Sequence, residues 1–191
     1  MSAAIDRPIP ARTPVLEWAA VGAGFALLLV RSSVIAWPTA PLVLLGMYGA
    51  LAWMSVGGSA RPKATAMADP LRWGVLAVGV AAVAGAAALA GPRPPSPVTA
   101  WALPLGTAAA VAEEAFFRGL LYRVLSPAGA AITVAVSALA FAAIHVPAYG
   151  LPAFWVDLGA GVLLSWQRWA SGGWGVPAAT HVAANLLAVM R

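Results

Sequence analysis

The chain of 191 residues has no cysteine, only two histidines and only six acidic residues. The absence of cysteine excludes disulfide bonds and thiol nucleophiles. Charged residues make up 9% of the sequence, and a soluble domain has about 25%, so an ordinary water-soluble fold is excluded. The basic residues are scattered and form no basic run, so we expect no nucleic-acid partner.

Apolar residues dominate the remainder and form 62% of the chain. A membrane-spanning helix needs about 20 mainly apolar residues, and breaks rich in Pro, Gly and Ser separate runs of about that length. The sequence therefore predicts an all-α, polytopic transmembrane bundle of about seven helices, at residues 15–36, 39–57, 73–91, 98–123, 129–147, 151–169 and 174–190. Small residues at close spacing predict tight helix contacts at Gly22/Gly24, Gly46/Gly49 and Gly159/Gly161.

We divide the chain into residues 1–97, with about three spans and no recognisable motif, and residues 98–191, with about four spans and all of the motifs. Basic residues favour the cytoplasmic side of a membrane, and their distribution predicts a cytoplasmic N-terminus. In that topology the basic residues on the outer side are Arg31, Arg93 and Arg191. We expect a protein integral to a membrane, with the bilayer as a partner, and the chain's size suggests the cell membrane of a bacterium.

Three charged residues, Glu113, Glu114 and Arg118, lie inside one of the apolar segments. At the centre of a bilayer each charge costs roughly 2.5 to 3.5 kcal/mol, so the three oppose insertion by about 8 to 10 kcal/mol unless they find partners. Adjacent helical residues point about 100° apart, which predicts different roles for the two glutamates. Glu114 and Arg118 are in the favourable i, i+4 order and predict an ion pair that leaves Glu113 free. One buried cluster of all three charges is the alternative.

Helix geometry predicts that further polar residues lie at the same depth. Glu113 and His145 are each 16 positions from residue 129, so an antiparallel hairpin brings both to roughly 24 Å from the turn. His181 and Asn185 share one helix face at about 12 and 18 Å from the 170–173 loop. Asp157, about 20 Å from that loop, is expected near the site, or paired with an arginine, Arg118 or Arg168.

Three short motifs carry a resemblance to a known family. They are Glu113-Glu114-x-x-x-Arg118-Gly119, Phe141-x-x-x-His145 followed by Pro147, and His181-x-x-x-Asn185. In this order they resemble the motifs of the CAAX prenyl protease and bacteriocin-processing (CPBP) family of intramembrane glutamic endopeptidases. The resemblance covers residues from about 100 to 191.

This resemblance implies a hydrolase that cleaves peptide bonds of a membrane-associated substrate, either a prenylated peptide or a leader peptide. In such an enzyme Glu113 and His145 activate a water molecule, and His181 and Asn185 stabilise the oxyanion of the tetrahedral intermediate. His and Asn side chains are suitable donors to an oxyanion. The sequence has no zinc signature and places Asn185 where a ligand would serve better, so we expect no tightly held metal and no cofactor. The supporting residues are Glu114, Arg118 and Asp157.

Two other functions stay open at this point. A zinc peptidase would use Glu113, Glu114, His145 and His181 as ligands, although the sequence has no His-Glu-x-x-His and places Asn185 where a second helical histidine would serve. A proton-coupled transporter, or a non-proteolytic membrane partner that retains the polar core, would also use intramembrane Glu, His and Arg. The internal repeat typical of a transporter is not recognisable between residues 1–95 and the rest.

Overall fold

The computed structural model describes residues 14–56, 70–91 and 99–190, and within these ranges all regular structure is helical. The helices are α1 Pro14–Val34, α2 Ala40–Val56, α3 Pro70–Leu89, α4 Ala102–Glu114, α5 Tyr122–Leu125, α6 Ala130–Ala143, α7 Val146–Tyr149, α8 Leu151–Ser171 and α9 Gly175–Val189. A π-helical segment, Ala115–Leu121, joins α4 to α5 without a break. With α4–α5 and α6–α7 each taken as one rod, the predicted all-α bundle is confirmed. The predicted boundaries at residues 57 and 98 lie outside the described residues.

Three of the described helices are long and apolar enough to cross a membrane: Pro14–Val34, Pro70–Leu89 and the combined Ala130–Tyr149. The apolar helices Ala40–Val56 and Gly175–Val189 are shorter. The remaining rods, α4–α5 and α8, also carry charged residues, which the membrane interior tolerates only when they are paired. The chain is therefore an integral membrane protein.

Two glycines end the rods that carry the site. Gly129 has φ +96° and closes the turn between α5 and α6, and Gly150 has φ +80° between α7 and α8. Both angles lie in the region where a side chain is strained, so glycine is the residue that allows these reversals. The turn at residue 129 is the one about which the sequence predicted a hairpin.

The π-helical segment Ala115–Leu121 was not predicted. Its wider turn leaves backbone carbonyl groups available for side chains of neighbouring helices. The Ser137 hydroxyl on α6 donates to the Phe117 carbonyl at 3.3 Å, and Arg168 Nε on α8 donates to the Arg118 carbonyl at 2.8 Å. Such irregular turns are concentrated at functional sites, and this one directly follows the two glutamates.

Close packing between rods depends on particular small residues. A side chain at Gly24 on α1 would overlap the ring of Phe116. A Cβ at Gly161 on α8 would lie 3.0 Å from the backbone of Ala138 on α6. Gly24 and Gly161 are therefore the two predicted small-residue positions that make tight contacts. At the other four positions an added Cβ would meet nothing within 4 Å; they are Gly22, Gly46, Gly49 and Gly159.

We predict that Gly161→Ala lowers the melting temperature in detergent and that Gly159→Ala, two residues away on the same helix, does not. The new methyl at residue 161 would force α6 and α8 apart, and overpacking of this kind costs typically about 1 to 3 kcal/mol. At residue 159 the methyl meets open space, and replacing glycine within a helix favours the helix by about 1 kcal/mol. Equal melting temperatures for the two variants would show that the α6–α8 contact does not limit stability.

Candidate active site

The two glutamates at the end of α4 lie side by side but bind different partners. Glu113 is 2% exposed and Glu114 is completely buried. Because consecutive helical side chains diverge by about 100°, Glu113 points towards α1 and the α6–α7 junction, while Glu114 points towards α9. The predicted difference between the two carboxylates is present in the geometry.

His145 lies at the α6–α7 junction and faces Glu113. Its Nδ1–H donates to the Phe141 carbonyl at 2.7 Å, because a carbonyl can only accept. In the neutral ring Nε2 is then unprotonated, and it lies 3.7 Å from Glu113 Oε2. This distance is too long for a direct hydrogen bond, but both atoms are acceptors that one water molecule can reach. The predicted common depth of Glu113 and His145 is confirmed.

Glu113 has a second partner that the sequence analysis missed. Arg31, near the end of α1, is 5% exposed, and its Nη1 donates to Glu113 Oε1. Arg31, which the sequence analysis counted only as a basic residue of the outer side, lies inside the bundle near the end of α1, where a buried guanidinium needs a counter-charge. An arginine in an otherwise apolar helix was the available signal, because the membrane interior admits such a charge only when it is paired.

Glu114 holds two groups at once. Its Oε1 accepts a hydrogen bond from Arg118 Nη1 at 2.8 Å and another from His181 Nδ1 on α9 at 3.0 Å. The predicted pair of Glu114 and Arg118 is therefore confirmed, and both side chains are completely buried. The bond to His181 was not predicted.

Arg118 is fixed by groups on three rods. Besides its bond to Glu114, it donates through Nη2 to the Gly161 carbonyl on α8 at 3.0 Å, and its guanidinium lies 4.6 Å from the centre of the Phe141 ring. The single cluster of three charges, considered as the alternative, is not the arrangement observed. Two separate buried pairs are present, and their formal charges cancel.

The Phe141 ring contacts both histidine rings. Its ring centre lies 4.7 Å from that of His145 and 5.6 Å from that of His181. The histidines of α6–α7 and α9 therefore flank one aromatic ring, with Glu113 beside the first and Glu114 beside the second.

Asn185 lies one turn beyond His181 on α9 and is half-buried. Its Nδ2 donates to the Gly106 carbonyl on α4 at 2.9 Å. A Cβ atom added to Gly106 would lie 3.6 Å from Asn185 Cβ, so α4 and α9 are in close contact here. An amide nitrogen carries two protons, and this contact uses one of them.

Asp157 on α8 is half-buried, and its carboxylate lies within electrostatic reach of His145, Glu113 and His181. The alternative that pairs it with an arginine is wrong for the described residues: Arg118 binds Glu114 and the Gly161 carbonyl, and Arg168 binds the Arg118 carbonyl. Asp157 therefore belongs to the surroundings of the site.

The site is nearly closed in this conformation. The exposed fraction of the side chain is 3% for Glu113, 9% for His145 and 11% for His181. A cavity of about 150 Å³ lies elsewhere, and none of the motif residues lines it. Its lining consists of Arg72, Trp73, Leu76, Ser171, Gly173, Gly175, Val176 and Ala179. In the part of the chain that the structure describes, no group of three or more His, Asp or Glu side chains is arranged to hold a metal ion.

A comparison with protein families agrees with the three motifs. The family model described as "Type II CAAX prenyl endopeptidase Rce1-like" matches residues 95–187, about half of the chain. This range contains both glutamates, both histidines and Asn185, and it excludes Arg31. No curated protein and no solved structure matches the chain. Over residues 95–187 the chain is therefore similar to the Rce1-like type II CAAX prenyl endopeptidases, in agreement with the resemblance that the three motifs carry.

Proposed function

We propose that the protein is a glutamate-dependent intramembrane endopeptidase in which Glu113 and His145 activate water. The observation that carries the proposal is the 3.7 Å separation between Glu113 Oε2 and His145 Nε2. Both are proton acceptors when the ring is neutral, because Nδ1 already donates to the Phe141 carbonyl. Two acceptors that face each other at this distance can each accept a hydrogen bond from one water molecule, which is the arrangement that a general base needs.

In the first step the water oxygen bonds to the carbonyl carbon of the scissile peptide, and its proton passes to the Glu113–His145 pair. The carbonyl oxygen becomes an oxyanion. When the intermediate collapses, the C–N bond breaks, the leaving amine takes up the proton, and the base is restored. The products are a carboxylic acid and an amine, so one water molecule is consumed for each bond cleaved.

We assign the stabilisation of the oxyanion to His181 and Asn185, which would donate hydrogen bonds to it. His181 Nδ1 donates to Glu114, so His181 donates to an oxyanion through Nε2 only when both ring nitrogens carry protons, and the charge of Glu114 favours that state. Asn185 has one amide proton left after its bond to Gly106. Each donor of this kind contributes typically about 10² to 10³ in rate. In this assignment Glu114 positions His181 as well as balancing Arg118.

The substrate we propose is a membrane-associated peptide, either prenylated near its C-terminus or carrying a leader segment. The family name supports a prenylated C-terminal motif, and a bundle whose reactive groups lie among apolar helices is suited to a substrate that is itself held at the bilayer. We also propose that the protein resides in the cell membrane of a bacterium; the three long apolar helices support the membrane location.

We expect Glu113→Gln to abolish cleavage per folded molecule and also to lower the melting temperature, because it leaves Arg31 buried without its counter-charge. Glutamine keeps the shape and can still accept from Arg31, but it cannot take a proton from water, so the rate should fall by several orders of magnitude. The measurement is cleavage of a quenched fluorescent peptide with a farnesylated Cys-aliphatic-aliphatic-X terminus, beside a thermal melt in the same detergent. A Glu113→Gln variant with the parent's activity would contradict the assignment of the base.

Glu114→Gln should also unfold early, because it leaves the completely buried Arg118 without its counter-charge, which costs about 3 to 5 kcal/mol. The double variant Glu114→Gln/Arg118→Met should recover stability, since a buried ion pair can be replaced by apolar groups at little cost. It should nevertheless remain slow, because His181 has lost its carboxylate. A double variant that is stable and fully active would show that Glu114 has no role beyond balancing charge. A Glu114→Gln variant that is inactive but as stable as the parent would contradict the buried pair.

We expect a chelator to leave the cleavage rate unchanged, which separates this mechanism from the zinc alternative. The Arg31 guanidinium binds Glu113 Oε1, and a positive charge at that position opposes binding of a divalent cation. The assay is cleavage before and after EDTA treatment, with metal analysis of protein purified without added metal. Near-stoichiometric zinc, together with activity lost to the chelator and restored by zinc, would establish the metal mechanism instead.

A further inference from the structure

Arg31 is the component of the site that lies outside the family-matched region. It belongs to α1, whereas the match begins at residue 95, and it is separated from Glu113 by 82 positions in sequence. It is 5% exposed, so it is neither a loop residue nor a surface charge.

The position of Arg31 is itself supported by neighbouring residues. Tyr48 on α2 lies within electrostatic reach of Arg31. Tyr149 lies within electrostatic reach of Arg31 and stacks on the His145 ring, with ring centres 5.9 Å apart and planes inclined by 17°. The guanidinium thus lies near side chains of α2 and α7, and the α7 residue Tyr149 also contacts His145.

We infer that Arg31 is a positioning residue for the catalytic carboxylate, an inference that rests on the proposed function. Arg31 binds Oε1 of Glu113, and the other oxygen, Oε2, is the one that faces His145. By holding one oxygen, the guanidinium fixes the rotation of the carboxylate about its terminal bond. Oε2 is thereby kept directed at the place where water would lie.

A purely structural explanation accounts less well for the placement of Arg31. Replacing a buried ion pair by apolar residues is often neutral or stabilising, so holding α1 in place does not require one at this depth. A more exposed ion pair already attaches the other end of α1 to the bundle: Arg123 Nε donates to Glu17 Oε1 at 2.8 Å. The side chains of Arg123 and Glu17 are 32% and 20% exposed, against 6% and 3% for Arg31 and Glu113.

These two ion pairs at opposite ends of α1 provide a matched test. Arg31→Met removes the guanidinium, Arg31→Lys keeps a cation, and Glu17→Gln weakens the attachment of α1 far from the base. Each variant is assayed with the farnesylated fluorescent peptide in detergent, and kcat is normalised to the folded fraction of the purified full-length protein. Melting temperatures are measured on the same samples.

For Arg31→Met we expect kcat to fall about 100-fold, the usual effect of misplacing a reacting group by about 1 Å. KM should change little, because Arg31 contacts the base and not the substrate. Arg31→Lys should recover part of kcat, since an ammonium can still bind Oε1. Glu17→Gln should keep the parent kcat even where its melting temperature falls, because its pair lies away from the carboxylates.

The inference is overturned if Arg31→Met keeps the parent kcat per folded molecule, or if Glu17→Gln loses as much kcat as Arg31→Met. It is also overturned if Arg31→Lys is as slow as Arg31→Met. Should Arg31→Met fail to fold, Arg31→Gln, which is neutral but retains a donor, replaces it under the same criteria. Glu113→Gln in the same series separates the two proposals: if it is inactive while Arg31→Met is unimpaired, only the role of Arg31 fails. If Glu113→Gln cleaves like the parent, the proposed base itself is wrong.

Discussion

Neutralisation of buried charge is the constraint on which the rest of the structure depends. Two carboxylates and two guanidiniums lie within an apolar bundle, where an unpaired charge costs several kcal/mol. Each carboxylate therefore has its own guanidinium: Glu113 binds Arg31, and Glu114 binds Arg118. These pairs join α1 and the π-helical segment to the end of α4, and His181 is attached to them through its bond to Glu114.

The pairing also supports the proposed division of roles between two adjacent residues. Glu114 accepts from both Arg118 and His181 through one oxygen, so it positions donors, and its complete burial separates it from water. Glu113 has one oxygen held by Arg31, and the other faces His145. Two carboxylates one position apart thus acquire different environments, which is the general way in which a fold separates a base from a supporting acid.

The sequence by itself determined what depends on local pattern and length. Runs of apolar residues between breaks set the helix positions to within a few residues. Equal spacing about residue 129 set the common depth of Glu113 and His145, and i, i+4 spacing set the pair of Glu114 and Arg118. These features follow from the rise and period of a helix, and residues close in sequence define them. The three motifs added the resemblance to a known family, because they contain the residue types on which the chemistry of that family depends.

Only the tertiary structure decided which helix faces which. Spacing fixes the depth of a residue in the membrane, but the rotation of one helix against another depends on close contacts such as that of Gly161 with Ala138. Of the small-residue pairs that looked alike in sequence, only some meet a neighbour. For the same reason Arg31 could not be assigned to Glu113 from the sequence: its partner is 82 positions away. The choice of Glu114 as the partner of His181 likewise depends on how α9 packs against α4, a contact that no local pattern encodes.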